Sequence, residues 1–182
     1  MEGDVKMPTI TIVAGGNSIH SRLTGVLNYA KEFLEKENIN PTTIQVHQLP
    51  SEALIKAEFN NEKITEANQI IENSDGVIFL TPVYKAAYSG ILKTYIDLLP
   101  QKTLKDKAVL PLVLGGTYGH LLVIDYVLKP VLINLGASNI NSGVYIQDTQ
   151  VTKNEDHSYS LADETKARLN DALTQFIKSI VR

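Results

Sequence analysis

The residues best suited to bind a small molecule lie in three short segments, and the first segment favours a phosphate. Residues 15–22 contain two glycines, hydroxyl side chains and an arginine, and an amphipathic helix follows directly. Free backbone N–H groups and the helix dipole favour an anion at the start of a helix. Further donors that suit a terminal phosphate monoester are the side chains of Ser18, Ser21, Arg22 and Thr24. An ordinary capped helix with an exposed arginine would explain the same residues.

The other two segments offer mostly backbone groups, glycines and flat side chains at the ends of apolar runs. Glycine lets the backbone approach a planar ligand, and aromatic rings can cover the face of a heterocycle. The residues concerned are Pro82, Val83, Tyr84 and Lys85 in one segment and Gly115, Gly116, Thr117 and Tyr118 in the other. Tyr84 and Tyr88 could instead be packing residues, and packing is favoured for Tyr88, which is in register with the apolar stripe of the next helix.

Taken together, the three segments fit a mononucleotide better than a dinucleotide. The first segment has neither the Gly-Lys-Ser/Thr of a Walker loop nor the G-x-G-x-x-G fingerprint. A phosphate loop beside two backbone-rich loops matches flavin mononucleotide (FMN).

The composition is that of one globular domain, which we expect to span residues 1–182. Hydrophobic residues make up 43% of the chain and charged residues 20%. No apolar run approaches the ~20 residues of a membrane span, and the start of the chain lacks the features of a signal peptide. We therefore expect a cytoplasmic protein without a membrane partner. The net charge of -3 weighs against nucleic acid as a partner.

Other chemistries are disfavoured by residue types and spacing. The chain contains no cysteine, which excludes disulfides, thiolate nucleophiles and sulfur-ligated metals. The four histidines show no metal-ligand spacing and no H-E-x-x-H is present, so we expect no metal site. A G-x-S-x-G elbow is also missing, which disfavours a serine hydrolase.

The order of elements predicts an α/β fold that places the three segments side by side. Apolar runs predict strands at residues 9–14, 43–49, 75–80, 108–114 and 137–146, and helical stripes predict helices at 23–34, 64–71, 88–99, 120–135 and 169–180. Residues 50–61 are expected to be a connector, and residues 147–160 a polar loop with no reason to be rigid. The alternation indicates a doubly wound, five-stranded parallel sheet, for which 2-1-3-4-5 is a common order.

Two prolines predict local irregularities. Pro111 lies in the fourth strand, where it cannot donate to the ladder, so we expect a local distortion there. Pro130 removes the hydrogen bond that the Tyr126 carbonyl would accept in a regular helix, which predicts a kink or a π-bulge near Tyr126. The helix at residues 120–135 is apolar almost all round, which predicts burial against a second subunit as well as the sheet.

Two long blocks, residues 81–100 and 109–132, resemble the NADPH-dependent FMN reductases. The similarity is closest to the reductase component of two-component alkanesulfonate monooxygenase systems and covers nearly the whole chain from about Met7. In that family a loop reading Gly-Ser-Pro-Arg and then Ser-Arg-Ser holds the phosphate, and Leu23 stands here where the last hydroxyl would be. Tyr126 matches an inserted tyrosine that forms a π-helix at a tetramer interface in the family.

The resemblance implies a flavodoxin-like fold and hydride transfer from NADPH to FMN, with release of reduced flavin to an FMN-dependent monooxygenase, most plausibly one of sulfonate desulfonation. No catalytic acid or base is implied, because the protein positions two rings. NADH in place of NADPH stays open, as does a homodimer in place of a homotetramer. The alternatives are a quinone or azo reductase that retains FMN, and a flavodoxin-like electron carrier without enzymatic activity.

Overall fold

A central sheet with helices on both faces organises the computed structural model, which describes residues 7–180. The strands of this sheet are β1 (Ile10–Ala14), β2 (Thr42–Gln45), β3 (Gly76–Tyr84), β4 (Ala87–Tyr88), β5 (Ala108–Gly115), β6 (Asn139–Ile140) and β7 (Val144–Gln147), and a separate hairpin is formed by β8 (Val151–Lys153) and β9 (Tyr159–Leu161). The α-helices are α1 (Arg22–Lys36), α2 (Ser51–Lys56), α3 (Glu62–Glu72), α4 (Gly90–Ile96), α5 (Lys129–Asn134) and α6 (Asp163–Ile180). A π-helix spans Ile124–Leu128.

The strand order confirms the predicted topology. The sheet runs β2-β1-β3-β5, and β6 and β7 both pair with β5 on its other side. All these pairings are parallel, and only the short β4 pairs antiparallel to β3. β6 and β7 together form one interrupted strand, so the sheet has five long strands. Numbered in chain order, with β5 as the fourth and β6 with β7 as the fifth, these strands have the predicted order 2-1-3-4-5.

The pleat of the strands divides the apolar side chains between two cores. Val77 and Phe79 of β3 pack in the core that α2, α3, α4 and the π-helix cover. Ile78 and Leu80 point to the opposite face, where α1 and α6 cover the second core. Successive residues of a strand face opposite sides, so these continuous apolar runs are buried on both faces.

The irregularity expected at Pro111 lies in the neighbouring strand. β5 itself is continuous, and Pro111 pairs in register with Phe79 of β3. The carbonyl of Val109 accepts a hydrogen bond from the backbone of Asn141, and residues two apart on a strand point the same way. The side of Pro111 that lacks a donor therefore faces the break between β6 and β7, where no ladder bond is needed.

Several predicted element boundaries were wrong. The second strand ends at Gln45 and not at residue 49, and the last helix begins at Asp163 and not at residue 169. Tyr88 belongs to β4 and not to the following helix, because Lys85 and Ala86 adopt φ values of 49° and 63° and close a hairpin. Ser89 then caps α4, which ends at Ile96 and not at residue 99. Residues 50–61 contain α2.

The segment at residues 147–160, expected to be a polar loop, instead contains most of the hairpin of β8 and β9. Val151 and Leu161, one on each strand, are buried in the core under α1. Two isolated apolar residues separated by a polar stretch gave no strand periodicity in the sequence, so burial was visible only in the folded chain.

The prediction about a signal peptide concerns residues 1–6, which lie outside the described part of the chain. Within residues 7–180, no helix is long and apolar enough to cross a membrane.

The break opposite Pro111 depends on a glycine, which gives a stability prediction. Gly143 has a φ of 82°, and a Cβ atom there would lie 2.8 Å from the carbonyl oxygen of Pro111. We expect Gly143→Ala to lower the free energy of unfolding by about 1–3 kcal/mol. Gly90→Ala is the control, because a Cβ at Gly90 meets nothing within 4 Å. Urea denaturation of both variants measures the difference, and equal stabilities would contradict this account.

Candidate functional site

A cleft of about 350 Å³ lies at the carboxyl ends of β1, β3 and β5. Ligands bind at this edge in open α/β sheets. The cleft is lined by residues of the three segments, by their neighbours in α1 and β5, by one residue after β7 and by one residue of β8. The full set is Gly16, Asn17, Ser18, His20, Ser21, Arg22, Leu23, Pro82, Val83, Tyr84, Leu114, Gly115, Asp148 and Lys153. The predicted adjacency of the three segments is thus observed.

At one end of the cleft, the first turn of α1 is arranged to receive an anion. Ser21 precedes the helix with an extended backbone, but its side chain makes no capping hydrogen bond, and no acidic residue lies in the first turn. Its hydroxyl instead donates to the carbonyl of Ser18 over 3.1 Å, while the Ser18 hydroxyl accepts from the backbone N–H of His20. Thr24 donates to the carbonyl of Ile19 and does not line the cleft.

The guanidinium group of Arg22 is held by the hairpin of β8 and β9. Its Nε donates to the carbonyl of Val151 over 2.9 Å. The two terminal nitrogens make no hydrogen bond to any residue between 7 and 180. An arginine anchored through Nε presents its remaining donors in a fixed plane, which suits a phosphate.

The second segment lines the cleft through the last residues of β3. Pro82, Val83 and Tyr84 belong to the strand itself, and the Tyr84 ring is 53% exposed. Lys85 lies in the turn between β3 and β4, outside the residues that line the cleft. The sequence grouped Lys85 with its neighbours because it could not show that the chain reverses there.

The third segment is held from below by Tyr145 of β7. The Tyr145 hydroxyl donates to the carbonyl of Thr117 over 2.6 Å, and burial together with the charge of Asp148 raises the pKa of Tyr145. A Cβ at Gly115 would lie 2.1 Å from this hydroxyl oxygen, so only glycine fits here. Gly116 and Tyr118 are contacted by the side chains of Gln147 and Gln150. Of this segment only Gly115 lines the cleft; Gly116, Thr117 and Tyr118 lie outside it.

A buried serine ties the first two segments together. Ser89 Oγ donates to the carbonyl of Gly15 over 2.6 Å and accepts the backbone N–H of Leu92 at the start of α4. Its own backbone N–H donates to Oγ1 of Thr81, in the second half of β3. The side chain of Ser89 is fully buried. No motif in the sequence indicated this role.

Seven residues that line the cleft were not among the site residues predicted from the sequence, namely Gly16, Asn17, His20, Leu23, Leu114, Asp148 and Lys153. Asn17 and His20 belong to the first segment. Asp148 and Lys153 lie far along the chain from Arg22, and no spacing rule connects them. The sequence feature that could have placed Asp148 and Lys153 near the cleft is the pair of apolar residues that anchor the hairpin, Val151 and Leu161, which are both buried.

The turn expected near Tyr126 is observed as the π-helix at Ile124–Leu128. Pro130 has no N–H for the Tyr126 carbonyl, and the wider turn accommodates this loss. The Tyr126 side chain is 75% exposed. It borders a shallow apolar cleft lined by Ala86, Gly119, His120, Leu122, Val123, Tyr126 and Val127.

Comparisons with known proteins agree with this fold. The model of the family described as NADPH-dependent FMN reductase matches residues 8–152. The chain is 40% identical to an FMN reductase (NADPH) of Escherichia coli, over 97% of this chain and 91% of that protein. It is 36% identical to an FMN reductase (NADPH) of Pseudomonas putida, over 95% of this chain and 88% of that protein. The apo crystal structure of an NADH:FMN oxidoreductase is similar with a TM-score of 0.84 and 32% identity, covering 94% of this chain and 89% of that one.

The fold and the position of the cleft define a flavodoxin-like α/β protein. The chain belongs to the NADPH-dependent FMN reductase family.

The Ser89 network gives a prediction about both stability and the cleft. Ser89→Ala leaves the buried carbonyl of Gly15 without its donor and removes the cap of α4, so we expect a loss of about 1–3 kcal/mol in unfolding free energy. We also expect weaker flavin binding, because the first segment loses its tie to α4. Ser138→Ala, at an exposed serine, is the control. Urea denaturation and flavin fluorescence titration test the two expectations; a variant as stable as the control would refute the first.

Proposed function

We propose that the protein reduces FMN with NAD(P)H by hydride transfer and releases the reduced flavin to a partner monooxygenase that desulfonates organosulfonates. NAD(P)H-dependent reduction of FMN is the activity of its family. The partner and its substrate go beyond that membership and rest on the similarity of residues 81–100 and 109–132 to the reductases of such systems. We further propose that the chain works as one cytoplasmic domain.

The observation that carries the proposal is the pairing of an anion-binding helix start with a backbone-rich cleft wall. FMN has a phosphate at one end and a flat ring system at the other. At the phosphate end we assign Ser18, Ser21 and Arg22, which meet at the first turn of α1. The uncapped amides of that turn fit a dianionic group, because they have no partner within the helix.

At the other end of the cleft, we assign the ring system to the second and third segments. Pro82, Val83 and Tyr84 form one wall, and Gly115 lies at the other. Gly116 carries no side chain into this region, and even an added Cβ would stay 3.8 Å from Asp148. Thr117, Tyr118 and Lys85 follow closely along the chain but lie outside the cleft, so we assign these three to the nicotinamide side.

FMN, when bound, supplies the hydride-accepting ring. The residues around it need to hold two rings parallel with the reacting atoms ~3–3.5 Å apart, and no acid or base is required for that step. Within this proposal the wall formed by β3 and the loop after β5 fixes the ring, while the tie from Ser89 fixes the phosphate end relative to it.

Release of reduced flavin is supported by the phosphate end of the cleft. Leu23 stands where the family usually has a hydroxyl, and it is buried beneath Gly16: a Cβ at Gly16 would come within 2.8 Å of Leu23 Cδ2. The loop thus offers one donor fewer to the phosphate than the family pattern. Weaker retention of FMN suits a flavin that leaves as a product.

The exposed side chains around the π-helix support a homo-oligomer. Leu122 is 59% exposed and Tyr126 75% exposed, beside a shallow apolar cleft. We propose that a second copy of the chain covers this surface, as a dimer or a tetramer.

The phosphate assignment predicts a specific binding defect. Arg22→Ala should raise the Kd for FMN by about tenfold or more, because it removes charge-assisted hydrogen bonds, and should slow hydride transfer little at saturating FMN. Lys36→Ala, which removes one positive charge from the opposite end of α1, is the control. Fluorescence titration gives the Kd and single-turnover stopped flow gives the hydride-transfer rate. Unchanged FMN affinity would remove Arg22 from the site.

The activity itself is tested with purified protein and two acceptors. We expect colourless protein that oxidises NADPH when free FMN is added. Yellow protein that needs a quinone or an azo dye would favour the alternative of a retained flavin. No NADPH oxidation with any acceptor would favour an electron carrier.

The oligomer proposal predicts a change in size on substitution. Leu122→Glu places a charge in the apolar surface and should shift the protein to a smaller species. Ala167→Glu, on the exposed side of α6, is the control. Light scattering after gel filtration measures the mass, and two variants of equal mass would argue against this interface.

A further inference from the structure

The hairpin of β8 and β9 is fixed closely against α1. A Cβ at Gly25 of α1 would lie 2.6 Å from Tyr159 Cβ and 3.1 Å from Val151 Cγ1, so the helix has a glycine where the hairpin crosses it. The polar tip is also held, because the Asn154 backbone and side chain bond to Ser158. The hairpin therefore has a defined position despite its polar sequence.

This position brings Lys153 to the phosphate end of the cleft. Val151 is buried against α1, and residues two apart on a strand face the same side, so Lys153 lies on the side of the hairpin that faces α1. Lys153 lines the same cleft as Ser18, Ser21 and Arg22. Two residues before it, the carbonyl of Val151 anchors Arg22. One short strand thus orients one cation and supplies another.

The charge of Lys153 is not neutralised within the part of the chain described. Lysines 56, 63, 93, 105, 129 and 166 each pair with a carboxylate, whereas Lys153 has no ion-pair partner between residues 7 and 180. The residues that line the cleft include two cations, Arg22 and Lys153, and one carboxylate, that of Asp148. An excess of cations at a helix start favours a dianion.

We propose that Lys153 is a second phosphate-binding side chain, which together with Arg22 makes the cleft select a flavin that ends in a phosphate monoester. The proposal rests on the function proposed above. Lys153 lies just beyond residues 8–152, which the family model matches. A phosphate monoester also occurs at the 2′ position of NADPH. The position of Lys153 beside the first turn of α1 favours the flavin phosphate.

The expected effect is moderate and depends on ionic strength. Lys153 is exposed, so solvent and salt screen its interaction with phosphate. Lys153→Met should raise the Kd for FMN by about three- to tenfold and leave the Kd for riboflavin, which lacks the phosphate, unchanged. Lys153→Arg should keep the affinity for FMN close to that of the wild type, because it keeps the charge.

The experiment titrates FMN and riboflavin against wild type, Lys153→Met, Lys153→Arg and a charge-matched control, with flavin fluorescence as the readout at low and high salt. The control is Lys178→Met, because Lys178 lies in the last turn of α6, next to the start of β3 and at the opposite edge of the sheet from the cleft. We expect only Lys153→Met to lose FMN affinity and to show a weaker salt dependence. The KM values for NADPH and NADH are measured in parallel.

Three outcomes would overturn the proposal. Equal FMN affinity of Lys153→Met and wild type would remove Lys153 from the site. Equal losses for FMN and riboflavin would indicate a structural role. A raised KM for NADPH but not for NADH, with FMN affinity intact, would assign Lys153 to the nicotinamide nucleotide. Failure of the proposed function looks different, because wild-type protein would then neither bind FMN nor oxidise NADPH in its presence.

Discussion

The buried hydroxyl of Ser89 fixes the two loops on which the cleft depends. It joins the carbonyl of Gly15, directly after β1, to the start of α4, and the backbone N–H of the same residue donates to the side chain of Thr81 in β3. These bonds lie away from water, where an unpaired donor or acceptor would be costly, so their geometry is strongly specified. This network therefore fixes the loop after β1 relative to β3 and α4.

Two prolines cause the two irregular regions of the fold, which are the broken outer strand and the π-helix. Pro111 leaves one side of β5 without a donor, and the outer strand of the sheet is broken at that point into β6 and β7. Pro130 removes a helix hydrogen bond, and the chain widens into a π-helix that exposes Tyr126. In both places the proline stays within its own strand or helix, and the backbone next to it is the part that becomes irregular. The reason is that buried backbone groups which lose a partner rearrange until they are paired again.

The two ends of the cleft differ in chemistry, since one offers mostly backbone groups and the other offers positive charge. Near the ring end it offers strand backbone, glycine and a tyrosine, which can border a flat ligand without titrating. Near α1 it offers helix amides and cations. The hairpin of β8 and β9 orients one of these cations, because the carbonyl of Val151 accepts a hydrogen bond from Arg22 Nε. A protein that only has to place two rings face to face can work with this arrangement, since positioning supplies most of the catalysis.

The sequence by itself determined the class of fold, the strand order, the adjacency of the three segments and the irregular turn at Tyr126. These follow from the apolar periodicity of long elements and from proline chemistry, both of which act locally. Only the tertiary structure decided that Tyr88 lies in a hairpin, that Lys85 and Tyr118 lie outside the cleft, and that the segment at 147–160 folds onto α1. It also brought Lys153 beside Arg22. The hairpin at Tyr88 depends on positive φ values at Lys85 and Ala86, which these residue types do not signal. The contacts of the 147–160 segment with α1 join residues more than a hundred positions apart, such as Arg22 and Val151, and no local pattern encodes them.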